Sequence, residues 1–175
     1  MKRRIFVAVG ISEKLQSQIS AWQKNWQQLK VRWVKKENLH ITLIQPWYTN
    51  NISEIEGNLK LSKNLVEPFS LTFQQITFGP SANRPGLIWA EGEKSLGLEL
   101  LKNKLEKILQ QKGEKRDYTL HMTLARFNPK DFSNFPIRTL NEKVNWEEKI
   151  DRFFLMESHL KKSGATYDRI AEIPL

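Results

Sequence analysis

Leu-His-Ile-Thr-Leu at residues 39–43 and Leu-His-Met-Thr-Leu at residues 120–124 are the two stretches that decide the fold of this chain. In a β-strand, residues i and i+2 face the same side. Each histidine therefore shares a face with the threonine two residues later, while the flanking apolar residues face the opposite side. We predict that each stretch is a strand with its apolar face in a core and its histidine and threonine presented together.

The two stretches occupy matching places in a longer repeat. An apolar, β-branched segment near Ile5 precedes His40 by 35 residues, and a similar segment near Ile88 precedes His121 by 33 residues. A segment with helical spacing of its apolar residues lies between the two members of each pair. Recurrence of strand, helix and His-x-Thr-Leu predicts a duplicated α+β unit, whose two lobes place the motifs opposite each other across a cleft.

Periodicity predicts the remaining elements. Strands are predicted over residues 4–9, 31–34, 39–44, 69–78, 87–90, 119–127, 152–160 and 167–173. Helices are predicted over 12–29, with Ser12 as N-cap, over 50–66, and from Leu98 past Ile108 to a closing Gly113. Residues 131–145 are ambiguous, with a pattern typical of a loop and a short helix.

Composition excludes several classes of protein. The chain has 175 residues, 39% hydrophobic and 27% charged, which predicts one globular domain over 1–175 made of two lobes. The absence of cysteine excludes disulfides, thiolate-bound zinc and a thiol nucleophile. No apolar run is long enough to span a membrane, and we interpret the apolar segment after Arg4 as a strand rather than a signal peptide. We expect a cytoplasmic monomer without an obligate protein partner.

The charge balance and the histidines together favour phosphodiester chemistry. A net charge of +9 attracts polyanions such as RNA. Two of only three histidines lie in the repeated motif, and one neutral and one protonated imidazole can act as base and acid near neutral pH. Thr42 and Thr123 can donate hydrogen bonds to phosphate oxygens. We expect no metal or other cofactor, since His-x-Thr is not a chelating spacing and His-Glu-x-x-His is absent.

The roles of the other candidate residues stay open at this point. Arg126 is a candidate phosphate ligand, but strict alternation places it opposite His121, so a surface salt bridge is the alternative. His159 lies outside any His-x-Thr motif and is interpreted as structural. Three further residues could line an RNA path, although a solvated surface is the favoured interpretation for each: Lys35, Lys36 and Tyr118.

Five stretches resemble the 2H phosphoesterase superfamily, and more narrowly the bacterial and archaeal RNA 2′,3′-cyclic phosphodiesterases, also called 2′-5′ RNA ligases. The resemblance covers nearly the whole chain. It rests on residues 4–9 as the opening strand, 33–43 as the first motif, 84–90 as the strand that begins the second half, 121–126 as the second motif, and 158–167 in the C-terminal strands.

The resemblance implies a bilobal α+β fold with antiparallel sheets lining a central groove, no metal, and hydrolysis of a 2′,3′-cyclic phosphate to a 2′-phosphate. Carried over, His40 is the acid and His121 the base, an assignment that the residues alone leave open. After the first motif the family usually has a Phe-Leu-Gly-like segment, whereas this chain has Ile-Gln-Pro-Trp-Tyr at 44–48. Trp47 and Tyr48 either stack on a base or, as we favour, pack the edge of the lobe.

Four alternatives remain. RNA end joining with a 2′-5′ linkage is the same chemistry in reverse, and hydrolysis of a small cyclic nucleotide would use the same motifs. The paired His-x-Thr motifs argue against a non-catalytic RNA-binding module. A purely structural α+β protein would leave the repeated motif unexplained.

Overall fold

A computed structural model describes residues 2–61, 64–81, 83–111, 118–162 and 164–175. The three α-helices described are α1 (Glu13–Lys24), α2 (Ile52–Leu61) and α3 (Leu96–Ile108). The strands are β1 (Arg3–Gly10), β2 (Arg32–Trp33), β3 (His40–Thr49), β4 (Phe69–Gly79), β5 (Leu87–Gly92), β6 (His121–Arg126), β7 (Asn141–Ile150), β8 (Arg152–Lys161) and β9 (Gly164–Pro174). Short 3₁₀ turns lie at Lys36–Asn38 and Pro129–Asn134.

The strands form two antiparallel sheets, which confirms the predicted α+β class. The first sheet has the order β3-β1-β8-β9, and the second has the order β2-β6-β5-β4-β7. The first motif strand, β3, is an edge strand of the first sheet. The second motif strand, β6, pairs with β5 on one side and with the two-residue strand β2 on the other. The two motif strands are in contact where the sheets meet.

The predicted repeat is present in local detail. Ser12 caps α1 by accepting a hydrogen bond from the Leu15 amide at 3.3 Å, and Ser95 caps α3 by accepting one from the Leu98 amide at 3.3 Å. Both leucines are buried in the core. The two helices therefore begin in the same way relative to the strand before them.

The sheets combine strands from both halves of the chain. β8 and β9, from the C-terminal part, complete the sheet that contains β1 and β3, whereas β2, from the N-terminal part, pairs with β6. The β8–β9 turn also lies close to β2, since a Cβ added at Gly164 would lie 3.3 Å from the Arg32 side chain. Gly164 has a φ of 127°, which favours glycine at this turn. The single domain over 1–175 stays a prediction, but its lobes are interlocked by these exchanges.

The helices end earlier than periodicity predicted. α1 stops at Lys24, and the chain continues through turns that still bury Leu29. The second helix covers Ile52–Leu61 rather than 50–66, and Asn64 adopts a left-handed φ of 59° that a helix cannot accommodate. α3 ends at Ile108, and the predicted closing residue, Gly113, lies outside the described residues.

The ambiguous segment 131–145 contains the start of a strand that the sequence did not predict. β7 alternates between exposed charged residues and a buried face that includes Trp146, Glu148 and Ile150. The Ser12 hydroxyl donates to the buried Glu148 carboxylate at 2.8 Å, which provides that charged group with a partner.

Among the described helices, none is long and apolar enough to cross a membrane.

Candidate active site

The two histidines are held in the same way on their strands. His40 Nδ1 lies 2.7 Å from the Asn38 carbonyl oxygen, and His121 Nδ1 lies 2.8 Å from the Thr119 carbonyl oxygen. A carbonyl oxygen can only accept, so each Nδ1 must be the protonated, donating nitrogen. In both rings Nε2 is therefore the nitrogen available for proton transfer.

Aromatic side chains fix the plane of each imidazole. Phe6 and Tyr167 contact His40, each with a centroid separation of 5.1 Å. Trp89 contacts His121 with a separation of 4.8 Å. These contacts leave each ring little freedom to rotate away from its backbone partner.

The two motifs meet at one cavity. A cavity of about 130 Å³ is lined by both histidines and both motif threonines, together with Arg126, Gln45 and Tyr167 among others. A larger groove of about 370 Å³ continues from it. Of the described residues that line this groove, none is acidic and four carry a basic side chain: Arg4, Arg32, Arg126 and Lys161. The cleft combines two imidazoles, two hydroxyls and a positive rim.

The electrostatic environment of His40 favours its neutral form. Burial lowers the pKa of the His40 imidazole below its ordinary value, and the charges of Arg126 and His121 act in the same direction. The hydrogen bond to the Asn38 carbonyl opposes this effect but does not outweigh it. In the protein without substrate, His40 is therefore neutral at pH 7.

Arg126 lies on the same side as His121, contrary to strict alternation. In the pairing of β5 with β6, Ile88 is opposite Ala125 and Trp89 is opposite Thr123, which leaves Leu124 as an extra residue. This β-bulge reverses the alternation, so that Leu124 and Ala125 are both buried and Arg126 emerges into the cavity. The two consecutive apolar residues were the available signal in the sequence.

Gln23 of α1, a residue that the sequence analysis missed, supports this bulge. Its side-chain amide donates to the Leu124 carbonyl at 3.3 Å and to the Val34 carbonyl at 3.1 Å, and the Val34 amide also donates to the Leu124 carbonyl at 2.9 Å. Gln23 is 8% exposed. A polar residue four positions after Ile19, on the apolar face of the predicted helix, was the signal for it.

Other predicted residues lie beside the cavity or away from it. Tyr118 donates its hydroxyl to the Thr42 carbonyl at 2.9 Å and so holds the first motif strand. Lys35 lines a neighbouring groove, whereas Lys36 is exposed and lines neither that groove nor the two described above. His159 contacts Asp168 at 2.9 Å on the surface, outside the cavity.

The divergent segment after the first motif belongs to β3. Trp47 is half-buried and packs against the core, in agreement with the packing interpretation. Tyr48 is 61% exposed and does not line the cavity. Within the described ranges, no group of three His, Cys, Asp or Glu side chains is placed to hold a metal ion.

Comparison with known proteins finds a matching family and two similar enzymes. The family description "2′-5′ RNA ligase superfamily" matches residues 11–162. The RNA 2′,3′-cyclic phosphodiesterase of Bacillus subtilis (strain 168) is 30% identical, with 97% of this chain and 95% of the relative covered. The protein of that name from Methanocaldococcus jannaschii is 25% identical, covering 97% and 99%.

Solved structures share the fold. TT0787 of Thermus thermophilus superposes with a TM-score of 0.80 at 22% identity, covering 98% of this chain and 97% of that protein. Escherichia coli LigT complexed with 3′-AMP superposes with a TM-score of 0.77 at 20% identity, covering 100% and 99%.

Proposed function

This chain belongs to the 2′-5′ RNA ligase superfamily, and from that membership we propose that it hydrolyses the 2′,3′-cyclic phosphate at an RNA end to a 2′-phosphate. The observation that carries the proposal is that both His-x-Thr pairs line one cavity, with Nδ1 of each imidazole occupied and Nε2 available. The names of the curated relatives that match nearly the full chain support the same substrate.

In the proposed reaction, a water molecule attacks phosphorus while one imidazole accepts its proton. The bond between phosphorus and the ribose 3′ oxygen breaks, and the other imidazole, present as imidazolium, donates a proton to that oxygen. The products are a 2′-phosphate and a 3′-hydroxyl. The proton gained by the base returns to the acid through solvent before the next turnover.

Binding of the substrate prepares His40 for the role of acid that the family resemblance assigns to it. Its lowered pKa leaves it neutral in the free protein. A phosphate anion in the cavity raises the pKa of a neighbouring imidazole, because opposite charges stabilise each other. We propose that His40 gains its proton as the anion binds, and that His121 acts as base.

The assignment of acid and base can be tested with an aryl phosphodiester. A 4-nitrophenolate leaving group departs without a proton, so losing the acid matters little for bis(4-nitrophenyl) phosphate. His40→Ala should retain far more of its wild-type rate on this compound than on the cyclic RNA end, whereas His121→Ala should be impaired on both. The opposite pattern would reverse the two roles.

Three further side chains would hold the phosphate. Thr42 and Thr123 are proposed to donate their hydroxyls to non-bridging oxygens, and the Arg126 guanidinium is proposed to neutralise charge on the same group. Acid–base catalysis by these residues requires no metal, so activity should be unchanged in EDTA. One chain supplies both motifs, from which we propose that the active form is a monomer.

The decisive experiment uses a short RNA that ends in a 2′,3′-cyclic phosphate, with EDTA, and identifies the product. Wild type should yield a 2′-phosphate, and His40→Ala and His121→Ala should each lose roughly 10²–10⁴-fold in rate while retaining the wild-type circular dichroism spectrum. His159→Ala is the matched control and should be as active as wild type, because His159 lies outside the cavity. Turnover that survives both motif substitutions would refute the mechanism.

The same assay separates the alternatives. Turnover of a 2′,3′-cyclic mononucleotide without turnover of RNA would identify a small cyclic nucleotide as substrate. Joining of a 2′,3′-cyclic end to a 5′-hydroxyl end would identify the reverse reaction. RNA binding that is indifferent to both motif substitutions, without any turnover, would identify a binding module.

A further inference from the structure

Directly after its threonine, the first motif strand contains the same irregularity as the second, and a further irregularity follows between the pairs Ile5–Trp47 and Val7–Ile44. In the pairing of β1 with β3, Val7 is opposite Ile44 and Ala8 is opposite Thr42, which leaves Leu43 as an extra residue. Both bulges therefore follow the motif threonine directly. Beyond each bulge, the next exposed residue lies on the histidine side of the strand.

Gln45 is accordingly the counterpart of Arg126. Each follows its histidine by five residues, each is exposed, and both line the cavity that holds the two motifs. Within the described part of the chain, neither side chain has a hydrogen bond or an ion pair to a protein group. Two polar side chains of matching origin thus point at the same small volume with their bonding capacity unused.

The two differ in charge, and that difference suits the proposed reaction. A cyclic phosphodiester carries one negative charge, whereas the 2′-phosphate product carries about −1.5 to −2 at pH 7. Among the described residues that line the cavity, Arg126 is the one permanent cation, beside the imidazolium that catalysis requires. A second cation at the equivalent position would favour the product, because attraction grows with the charge of the anion.

We propose that Gln45 is a substrate-binding residue that donates its side-chain amide to a non-bridging phosphate oxygen opposite Arg126, and that its neutrality selects a phosphodiester monoanion over a phosphomonoester dianion. The proposal deepens the proposed function and rests on it. The family resemblance does not supply this residue, since relatives usually have a Phe-Leu-Gly-like segment here.

The experiment compares Gln45→Ala, Gln45→Glu and Gln45→Arg. KM for the cyclic phosphate should rise roughly tenfold in Gln45→Ala, as expected for losing a hydrogen bond to a charged group, and further in Gln45→Glu, while kcat stays within about twofold. Gln45→Arg should lower the inhibition constant of the 2′-phosphate product roughly tenfold, with a smaller effect on KM. Two catalytic imidazoles predict a bell-shaped pH profile, which should be unchanged in Gln45→Ala. In Gln45→Glu and Gln45→Arg it should shift in opposite directions, because a charge in the cavity acts on the histidine pKa values.

The matched controls are Gln18→Glu and Gln18→Arg, which make the same charge changes at an exposed position of α1 that lines neither the catalytic cavity nor the basic groove. Equal KM values for Gln45→Ala and Gln45→Glu, or product inhibition in Gln45→Arg like that in Gln18→Arg, would overturn the proposal. If wild type turns over no cyclic phosphate, the proposed function fails separately. Calorimetric titration with a nucleoside 2′-phosphate then still tests the selection by charge, because Gln45→Arg must bind this dianion more tightly than wild type or the proposal is wrong.

Discussion

Replacing Gln23 by leucine should lower both the stability of the protein and its catalytic efficiency, because the Gln23 amide holds the bulge that directs Arg126 into the site. The substitution removes two hydrogen bonds, to the Leu124 and Val34 carbonyls. Each contributes about 0.5–1.5 kcal/mol net. The Leu124 carbonyl still accepts from the Val34 amide in the variant. Val34 is only half-buried, so water can replace the hydrogen bond to its carbonyl. The expected loss of stability is about 2 kcal/mol, equivalent to about 4–8 °C in Tm for a chain of this size.

The effect on catalysis should act through Arg126. If the bulge relaxes in Gln23→Leu, the guanidinium turns away from the phosphate, and kcat/KM for the cyclic phosphate falls. A double-mutant cycle with Arg126→Ala isolates this path, since Gln23→Leu should cause little further loss once the guanidinium is absent.

Thermal unfolding followed by circular dichroism and steady-state kinetics on the four proteins provide the measurements. Gln18→Leu, on the exposed side of the same helix, controls for replacing a glutamine. The reasoning would be refuted if Gln23→Leu were as stable and active as wild type. It would also be refuted if its loss of activity were fully additive with that of Arg126→Ala.

The remaining predictions concern the pKa of His40, the packing of Trp89 and the basic groove. In an NMR titration, the His40 ring should titrate below the ordinary histidine range, because burial lowers its pKa. Since the unfolded chain binds that proton more readily, His40 contributes stability above about pH 6.5 that is lost as pH falls through the folded pKa, and His40→Asn should reduce this dependence. Gly79→Ala should lower the free energy of unfolding by about 1–3 kcal/mol, because an added Cβ would lie 2.3 Å from the Trp89 ring. It should also reduce kcat, because Trp89 contacts the His121 ring. Unchanged melting and activity would contradict this. Arg32→Ala should reduce the salt dependence of KM for an oligonucleotide and leave KM for a cyclic mononucleotide unaltered, and equal effects on both would exclude a backbone contact.

The apolar and polar faces of the motif strands could be predicted from the sequence, because alternation around each His-x-Thr is regular over five residues. The bulges could not, since a one-residue insertion is decided by pairing with a neighbouring strand. For this reason strict alternation predicts the wrong face for Arg126, whose role as a phosphate ligand stayed open, and it gives Gln45 no role. The consecutive pairs Leu43-Ile44 and Leu124-Ala125 mark where alternation fails.

The order of the sheets also lay beyond sequence patterns. β7 carries many charged residues, and its buried face includes Glu148, whose partner Ser12 is remote in sequence. The exchange of β2 into the second sheet and of β8 and β9 into the first depends on long-range pairing, which periodicity does not encode. The role of Gln23 could not be predicted for the same reason, because its hydrogen-bond partners lie on other elements.

The position of β1 between β3 and β8 has a consequence for synthesis on the ribosome. β1 can pair with β3 early, but its other neighbour requires translation to reach the segment around Glu157, which pairs with Ile5. Until then the apolar segment from Ile5 to Val9 has one open hydrogen-bonding edge, a template for association with other chains. The nascent protein therefore depends on rapid completion of its final hairpin, or on a chaperone that shields this edge while the chain emerges.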